Sequence, residues 1–376
     1  MREELVQPGE PLSLLKMPNT MKTQTQIVEL LLIANTLLAI LAGNAMAQTY
    51  PVASPAGTNQ SPYPHLDLAP GYRVDPSWPK RPPEIGLGQV PSIAIDRQDN
   101  VWVYTRTNPA VQVFSPEGQY LFGWRAEKTN AAAHAIKIDQ NGFVWLVDVG
   151  LHVVRKHTRE GQLLLTLGTE GEAGDDTRHF NKPTDVALAS NGEIFVTDGY
   201  GNSRVMHFDQ RGRFINSWGS PGVKPGQFSI VHAIVCDSRD RLYIADRNNV
   251  RVQVFNTRGK LLDVWPNLMV PWTFWLAPKD EIWVCGSSPM HWGFDPKYPT
   301  APLGCPPKDQ LIMKFNTQGK ALQLWTFPKA PDGAEKPGEL NWLHAIAFDS
   351  KGNLYLGDII GSRVQKFVPV APARSF

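Results

Sequence analysis

The feature that most constrains this 376-residue chain is a sixfold internal repeat. When the segments beginning at Pro91, His134, Thr184, His232, Trp272 and His344 are aligned, one pattern recurs. Each has an alternating apolar strand, a polar turn, a second strand, a loop, a third strand, a turn usually containing Gly, and a fourth strand often ending in Trp. The second strands read Val101-Trp102-Val103, Val144-Trp145-Leu146, Ile194-Phe195-Val196, Leu242-Tyr243-Ile244, Ile282-Trp283-Val284 and Leu354-Tyr355-Leu356. Units of four short strands at a spacing of roughly 40–50 residues bury their sheet faces by stacking radially on one another. The expected fold is all-β, a six-bladed β-propeller over residues 72–369. Its sixth unit stops after three strands, and Tyr72-Arg73-Val74 is placed to supply the missing outer strand so that no edge is left half filled. The 31 Gly and 12 Trp fit this reading as turn residues and as blade ends at Trp124, Trp218, Trp265 and Trp325.

The remaining segments read differently. The apolar run 27–42, preceded by Lys22 and followed by Ala45-Met46-Ala47, has the layout of a secretory signal peptide ending at residue 47, with Met21 a more natural start than Met1. Residues 48–71 read as a flexible arm and 370–376 as a tail. The expectation is a periplasmic or secreted monomer with no membrane contact after signal cleavage. Lys and Arg number 37 against 35 Asp and Glu, which excludes the basic footprint of a nucleic-acid binder. Of three cysteines, Cys285 and Cys305 bracket a Pro-rich loop and are candidates for a disulfide, whereas Cys236 follows strand alternation and reads as a buried free thiol.

Register converts position in the repeat into position in space. The first strand of each blade lines the central channel, and the antiparallel meander puts its start on the same face as the loop between strands two and three. The six aligned residues therefore surround one mouth of the channel, and histidine occupies every second place: His134, His232 and His344. Each is followed fourteen residues later by an Asp: Asp148, Asp246 and Asp358. Three neutral imidazoles converging with a fourth position open form the donor set of a catalytic zinc or a similar divalent transition metal. Thr184 and Trp272 share the register, and Asp185, Arg247 and Trp342 lie close enough in sequence to join the pocket or its support.

The stretches 179–186 (His-Phe-Asn-Lys-Pro-Thr-Asp-Val), 198–204 (Asp-Gly-Tyr-Gly-Asn-Ser-Arg), 225–228 (Pro-Gly-Gln-Phe) and 245–248 (Ala-Asp-Arg-Asn) carry a more specific signal. With the registered histidines, they resemble the NHL-repeat propellers and, within them, peptidyl-α-hydroxyglycine α-amidating lyase, the lyase half of the peptide-amidating enzyme. The resemblance implies that His134, His232 and His344 hold zinc, that Tyr200 is the base, and that Arg106 binds or polarises a peptide or small-molecule substrate. Zinc would act as Lewis acid on the α-hydroxyl, and the C–N bond would break to release an amide and glyoxylate. A phenol has a pKa near ~10, so Tyr200 would depend on the zinc and Arg106 charges to act near neutrality.

The chain also departs from that family. Ala345 stands where the family carries an Asp associated with a structural calcium, which leaves calcium binding in doubt. Gly201 and Asn181 stand where animal enzymes pair two cysteines. Blade five carries an insertion over 286–310, expected on the metal face as a cover for the substrate. Two other readings remain open. A lactonase-like metal hydrolase would need channel carboxylates and Asn, which these positions do not offer. A non-catalytic propeller acting as an interaction scaffold would need no registered histidines.

Overall fold

The computed structural model describes residues 71–125, 132–266, 269–288, 290–291, 303–304 and 309–370. Six four-stranded antiparallel sheets are formed. Blade one comprises Ser92–Ile95, Val101–Tyr104, Val111–Phe114 and Tyr120–Trp124, and blade two Ala133–Ile138, Val144–Asp148, Val153–His157 and Leu163–Leu167. Blade three comprises Asp185–Leu188, Ile194–Asp198, Arg204–Phe208 and Phe214–Trp218, and blade four Val231–Cys236, Arg241–Asp246, Arg251–Asn256 and Leu261–Pro266. Blade five follows with Val270–Leu276, Ile282–Ser287, Gln310–Phe315 and Ala321–Phe327. Blade six takes Leu343–Phe348, Leu354–Asp358 and Arg363–Pro369 together with Tyr72–Asp75, which precedes blade one in the sequence. That last strand pairs Tyr72 with Pro369 and Val74 with Phe367.

The burial of each strand follows from its place in the stack. Second strands are covered on both faces, and Val101–Tyr104, Ile194–Asp198 and Leu354–Asp358 are buried throughout. Fourth strands lie at the rim and alternate, as Phe214–Trp218 does. The sheets are joined face to face by apolar clusters such as Val147, Phe180, Val196 and Met206 between blades two and three. An Asp at the end of strand one recurs as a staple: Asp96, Asp139, Asp237 and Asp349 accept from their own turns and from Trp102, Trp145, Tyr243 and Tyr355 on the second strand.

Cys285, one half of the candidate disulfide, carries a free thiol. It sits on the second strand of blade five and packs against Ile312, Leu343 and Leu356, and burial pushes its pKa up to about 12. Its expected partner, Cys305, lies outside the described residues. Cys236 is likewise free, and only partly buried. The proposed signal segment, the arm up to residue 70 and the tail from residue 371 also lie outside the described residues, as does most of the blade-five insertion. Among the described residues no helix is long and apolar enough to cross a membrane.

Candidate metal centre and its surroundings

The three registered histidines converge. Their ring centroids form a near-equilateral triangle with sides of 4.9, 5.0 and 5.3 Å. Each offers one ring nitrogen within 4.8 Å of the others, and all three side chains are buried. The blades between them do equal work. Nδ1 of His134 lies 2.5 Å from the carbonyl oxygen of Thr184, Nδ1 of His232 2.6 Å from that of Trp272, and Nδ1 of His344 2.8 Å from that of Pro91. A carbonyl only accepts, so each Nδ1 donates its proton and each Nε2 keeps its lone pair for the channel. Even blades thus supply the nitrogens, and odd blades supply the carbonyls that orient them.

Tyr200 reaches into this triangle. Its hydroxyl lies 2.8 Å from Nε2 of His232 and 3.1 Å from Nε2 of His134. One hydroxyl proton cannot serve two lone pairs. Nor can the imidazoles supply a second proton: burial first, then the charge each ring would impose on its neighbours, holds His134 and His232 well below the usual histidine range. Burial lowers His344 to about 3. Neutral Nδ1–H imidazoles crowded round one hydroxyl lack positive charge at their centre, and a divalent cation would supply it. The donor set therefore fits a zinc-like ion.

The loops between strands two and three bring in the rest. In blades one, two, four and six a residue just past the second strand donates its N–H to the residue two before the registered position: Arg106 to Gln89, Val149 to Ala132, Arg247 to Ile230 and Ile359 to Trp342. In blade three the same bond runs from Tyr200 to Lys182. The repeat thus places Arg106, Tyr200 and Arg247 around one rim. The Arg106 guanidinium donates to the carbonyl of Ala133 and, at 2.8 Å, to the side chain of Gln89, and its charge couples to Tyr200. Arg247 is buried, and its charge acts on all three imidazoles. Gln89 was not anticipated, although its place two residues before Pro91 is the signal that locates it.

Other expected residues take supporting places. The Thr184 hydroxyl donates across the seam to the Val231 carbonyl at 2.7 Å, and Trp272 and Trp342 form an aromatic pair 5.6 Å apart. Asp185 is not at the histidine triangle. It points along the channel, where Lys137 of blade two lies 3.2 Å from it and it accepts from the Ile234 N–H of blade four. A cavity of about 630 Å³ at the opposite mouth, lined by Lys137, Trp145, Ser190 and Trp275 among others, includes none of the three histidines. The Asp fourteen residues after each histidine is also structural. Asp246 accepts from the N–H of Ser229 and from Arg251, and Asp358 from the N–H groups of Asn341 and Trp342.

The NHL repeat model matches residues 180–208, the stretch that carries Tyr200. The chain is 30% identical over 330 residues to peptidyl-glycine alpha-amidating monooxygenase B of Xenopus laevis, covering 78% of this chain and 35% of that one. It is 41% identical over 128 residues to a probable peptidyl-alpha-hydroxyglycine alpha-amidating lyase of Caenorhabditis elegans, covering 33% and 36%. The chain is a six-bladed propeller with an NHL repeat in its third blade, and it resembles the amidating lyases. It spans about a third of the length of either relative. Among solved structures a streptogramin B lyase superimposes with a TM-score of 0.53 at 14% identity over 76% of this chain and 95% of that one, a likeness of fold. Positions 181 and 201, which the resemblance pairs, are neighbours: a Cβ on Gly201 would lie 2.1 Å from Cγ of Asn181.

Proposed function

We propose that this propeller is an exported, zinc-dependent lyase that cleaves the C–N bond of a peptidyl-α-hydroxyglycine or a similar carbinolamide. The observation that carries the reading is the tethered histidine triangle with the Tyr200 hydroxyl between two of its Nε2 atoms. The relatives named for amidating lyase and monooxygenase supply the reaction class.

His134, His232 and His344 would hold the ion, which supplies Lewis-acid polarisation of the substrate's oxygens when bound. Arg106 and Arg247 place two positive charges at the rim, and a C-terminal carboxylate is the group they suit. The α-hydroxyl then lies against Tyr200. Tyr200 takes its proton, the hydroxyl carbon becomes the aldehyde carbon of glyoxylate, and the amide nitrogen leaves with the electron pair of the broken C–N bond. The proton held by Tyr200 completes the amide. Positive charge from Arg106 favours the phenolate form that this step requires. Export rests on the N-terminal sequence 27–47.

The test combines metal content with product assay. The purified protein is expected to hold one transition-metal ion per chain by elemental analysis, and His232→Ala to lose it. The metal-loaded protein should release glyoxylate from an α-hydroxyglycine peptide, and Tyr200→Phe should slow release by at least ~100-fold. No bound metal, or release no faster than with the Phe variant, overturns the reading.

A further inference from the structure

A histidine outside the triangle is tied to it through the backbone. His152 lies in the loop between strands two and three of blade two, the counterpart of the blade-three loop that carries Tyr200. Its Nδ1 accepts the N–H of Lys182, 3.0 Å away across the seam to blade three. The Lys182 carbonyl in turn accepts the N–H of Tyr200 at 3.2 Å. Two residues on, the Thr184 carbonyl accepts from Nδ1 of His134. The short segment 182–184 therefore holds both the loop of the phenol and the orientation of one imidazole, and His152 fixes its first residue.

The backbone shows why that segment needs a hold from outside. Lys182 has a φ of 61°, in the left-handed region, and it precedes Pro183, which pushes the residue before it towards extended conformations. Such a residue persists only where its surroundings over-determine it. Blade four provides the comparison. Ile230 stands at the same place in the repeat with a φ of 57°, and its carbonyl holds Arg247 as that of Lys182 holds Tyr200. Ile230 is buried, so packing fixes it, whereas Lys182 is exposed and packing cannot. The side chain of His152 takes over that task. Its own loop is braced: Asp148 accepts from the N–H groups of Gly150 and Leu151, and the Leu151 carbonyl accepts from Gly171. A backbone N–H only donates, so the bond requires Nδ1 without a proton. Burial and then the Lys182 charge lower the His152 pKa, against the opposing pull of Asp198 and Asp148, which keeps that nitrogen free near neutrality.

We infer that His152 is a positioning residue for the histidine triangle: by holding Lys182 across the seam, it fixes the Tyr200 loop and, through Thr184, the ring of His134. The hydrogen-bond chain is independent of the reaction. Only its effect on turnover rests on the lyase reading.

The variants His152→Asn and His152→Gly separate the bond from its backbone. Both residues accept the φ of 59° found at His152, but only Asn carries an acceptor bonded to Cγ, where Nδ1 stands. Hydrogen exchange of the full chain, read by mass spectrometry, follows peptides over 181–186 and 198–204, with 230–248 of blade four as internal reference. In His152→Gly the first two should exchange roughly 3- to 10-fold faster with the reference unchanged, the effect of one lost hydrogen bond, and His152→Asn should stay within ~2-fold of the wild type. With zinc-loaded protein and an α-hydroxyglycine peptide, His152→Gly should lower kcat for glyoxylate release by at least ~10-fold with KM little changed, and His152→Asn should restore it. The same exchange pattern without glyoxylate from the wild type would sustain the positioning role and sink the lyase reading. Exchange in His152→Gly that matches the wild type, that rises equally in the reference, or that His152→Asn fails to restore would overturn the inference. So would an active wild type whose kcat is indifferent to His152→Gly.

Discussion

Tyr200 reaches His134 and His232 because glycines flank it on both sides, and the two are required for different reasons. A Cβ on Gly199 would lie 1.7 Å from the backbone oxygen of Val231, across the seam to blade four. Backbone cannot rotate away, so the loop itself would have to move. A Cβ on Gly201 would meet the Asn181 side chain, which has rotamers to spare. Gly199→Ala is therefore expected to cost about 2–3 kcal/mol by urea unfolding, in the range of overpacked sites, and Gly201→Ala less than half of that. Equal losses would mean that the seam oxygen does not fix the loop. The residue scale also shows what was legible in the chain. Three histidines at alternate registered positions could be read directly, since a side chain is what a sequence spells. Their orientation could not. It depends on the carbonyls of Pro91, Thr184 and Trp272, which almost any residue would provide. The Lys137–Asp185 pair was hidden for a different reason, as it forms only when blades two and three are side by side.

At the scale of elements, the abundance of Gly and of Trp turns out to be one feature. The turn glycine of a third-to-fourth hairpin packs on the outer tryptophan of the preceding blade: Gly161 on Trp124, Gly259 on Trp218 and Gly319 on Trp265. Gly118 of blade one meets Trp78, which follows the strand that completes blade six, so the joint is kept where the ring closes. Where blade two ends in Leu167 in place of Trp, Gly212 packs on leucine. These glycines also have positive φ, as Gly352 does, but a Cβ on Gly352 would meet nothing within 4 Å. The pair Gly259 and Gly352 separates conformation from contact. Gly352→Ala should cost about 1–2 kcal/mol for its backbone alone. Gly259→Ala should cost a further ~1–3 kcal/mol, because the new methyl would stand 2.7 Å from the Trp218 ring. Denaturant midpoints of the two variants decide it, and equal losses would leave the ring contact without consequence. The sequence showed both residue types recurring in register, but which glycine meets which tryptophan is a matter of neighbouring blades.

For the whole molecule, the histidine triangle and the closure of the ring bear on one seam. Each histidine stands on one blade and is tied to a carbonyl of the next, so the centre spans the seams two–three, four–five and six–one. The last of these lies beside the pairing of the first described strand with the last. There Tyr72–Asp75 completes blade six, Ser350 of blade six hydrogen-bonds to Asp99 of blade one, and His344 reaches Pro91. An ion on the three imidazoles would link the same blades from the channel side, and any ligand that binds only the folded ring stabilises it by mass action. At a free concentration a hundredfold above Kd the gain is ~2.7 kcal/mol. Thermal melts should therefore rise when zinc is added and fall on chelation. The effect should be sharper in a chain shortened to begin at Ser77, which lacks the closing strand and leaves the Arg363–Pro369 edge unpaired. That shortened chain is expected to melt lower than the full chain without metal and to recover part of the difference with zinc, since the ion restrains the seam that the strand no longer covers. A melting temperature indifferent to zinc in both chains would show that the histidines do not clamp the ring. A zinc response present in the full chain and lost in the shortened one would show that the centre forms only on a ring already closed by its N-terminal strand.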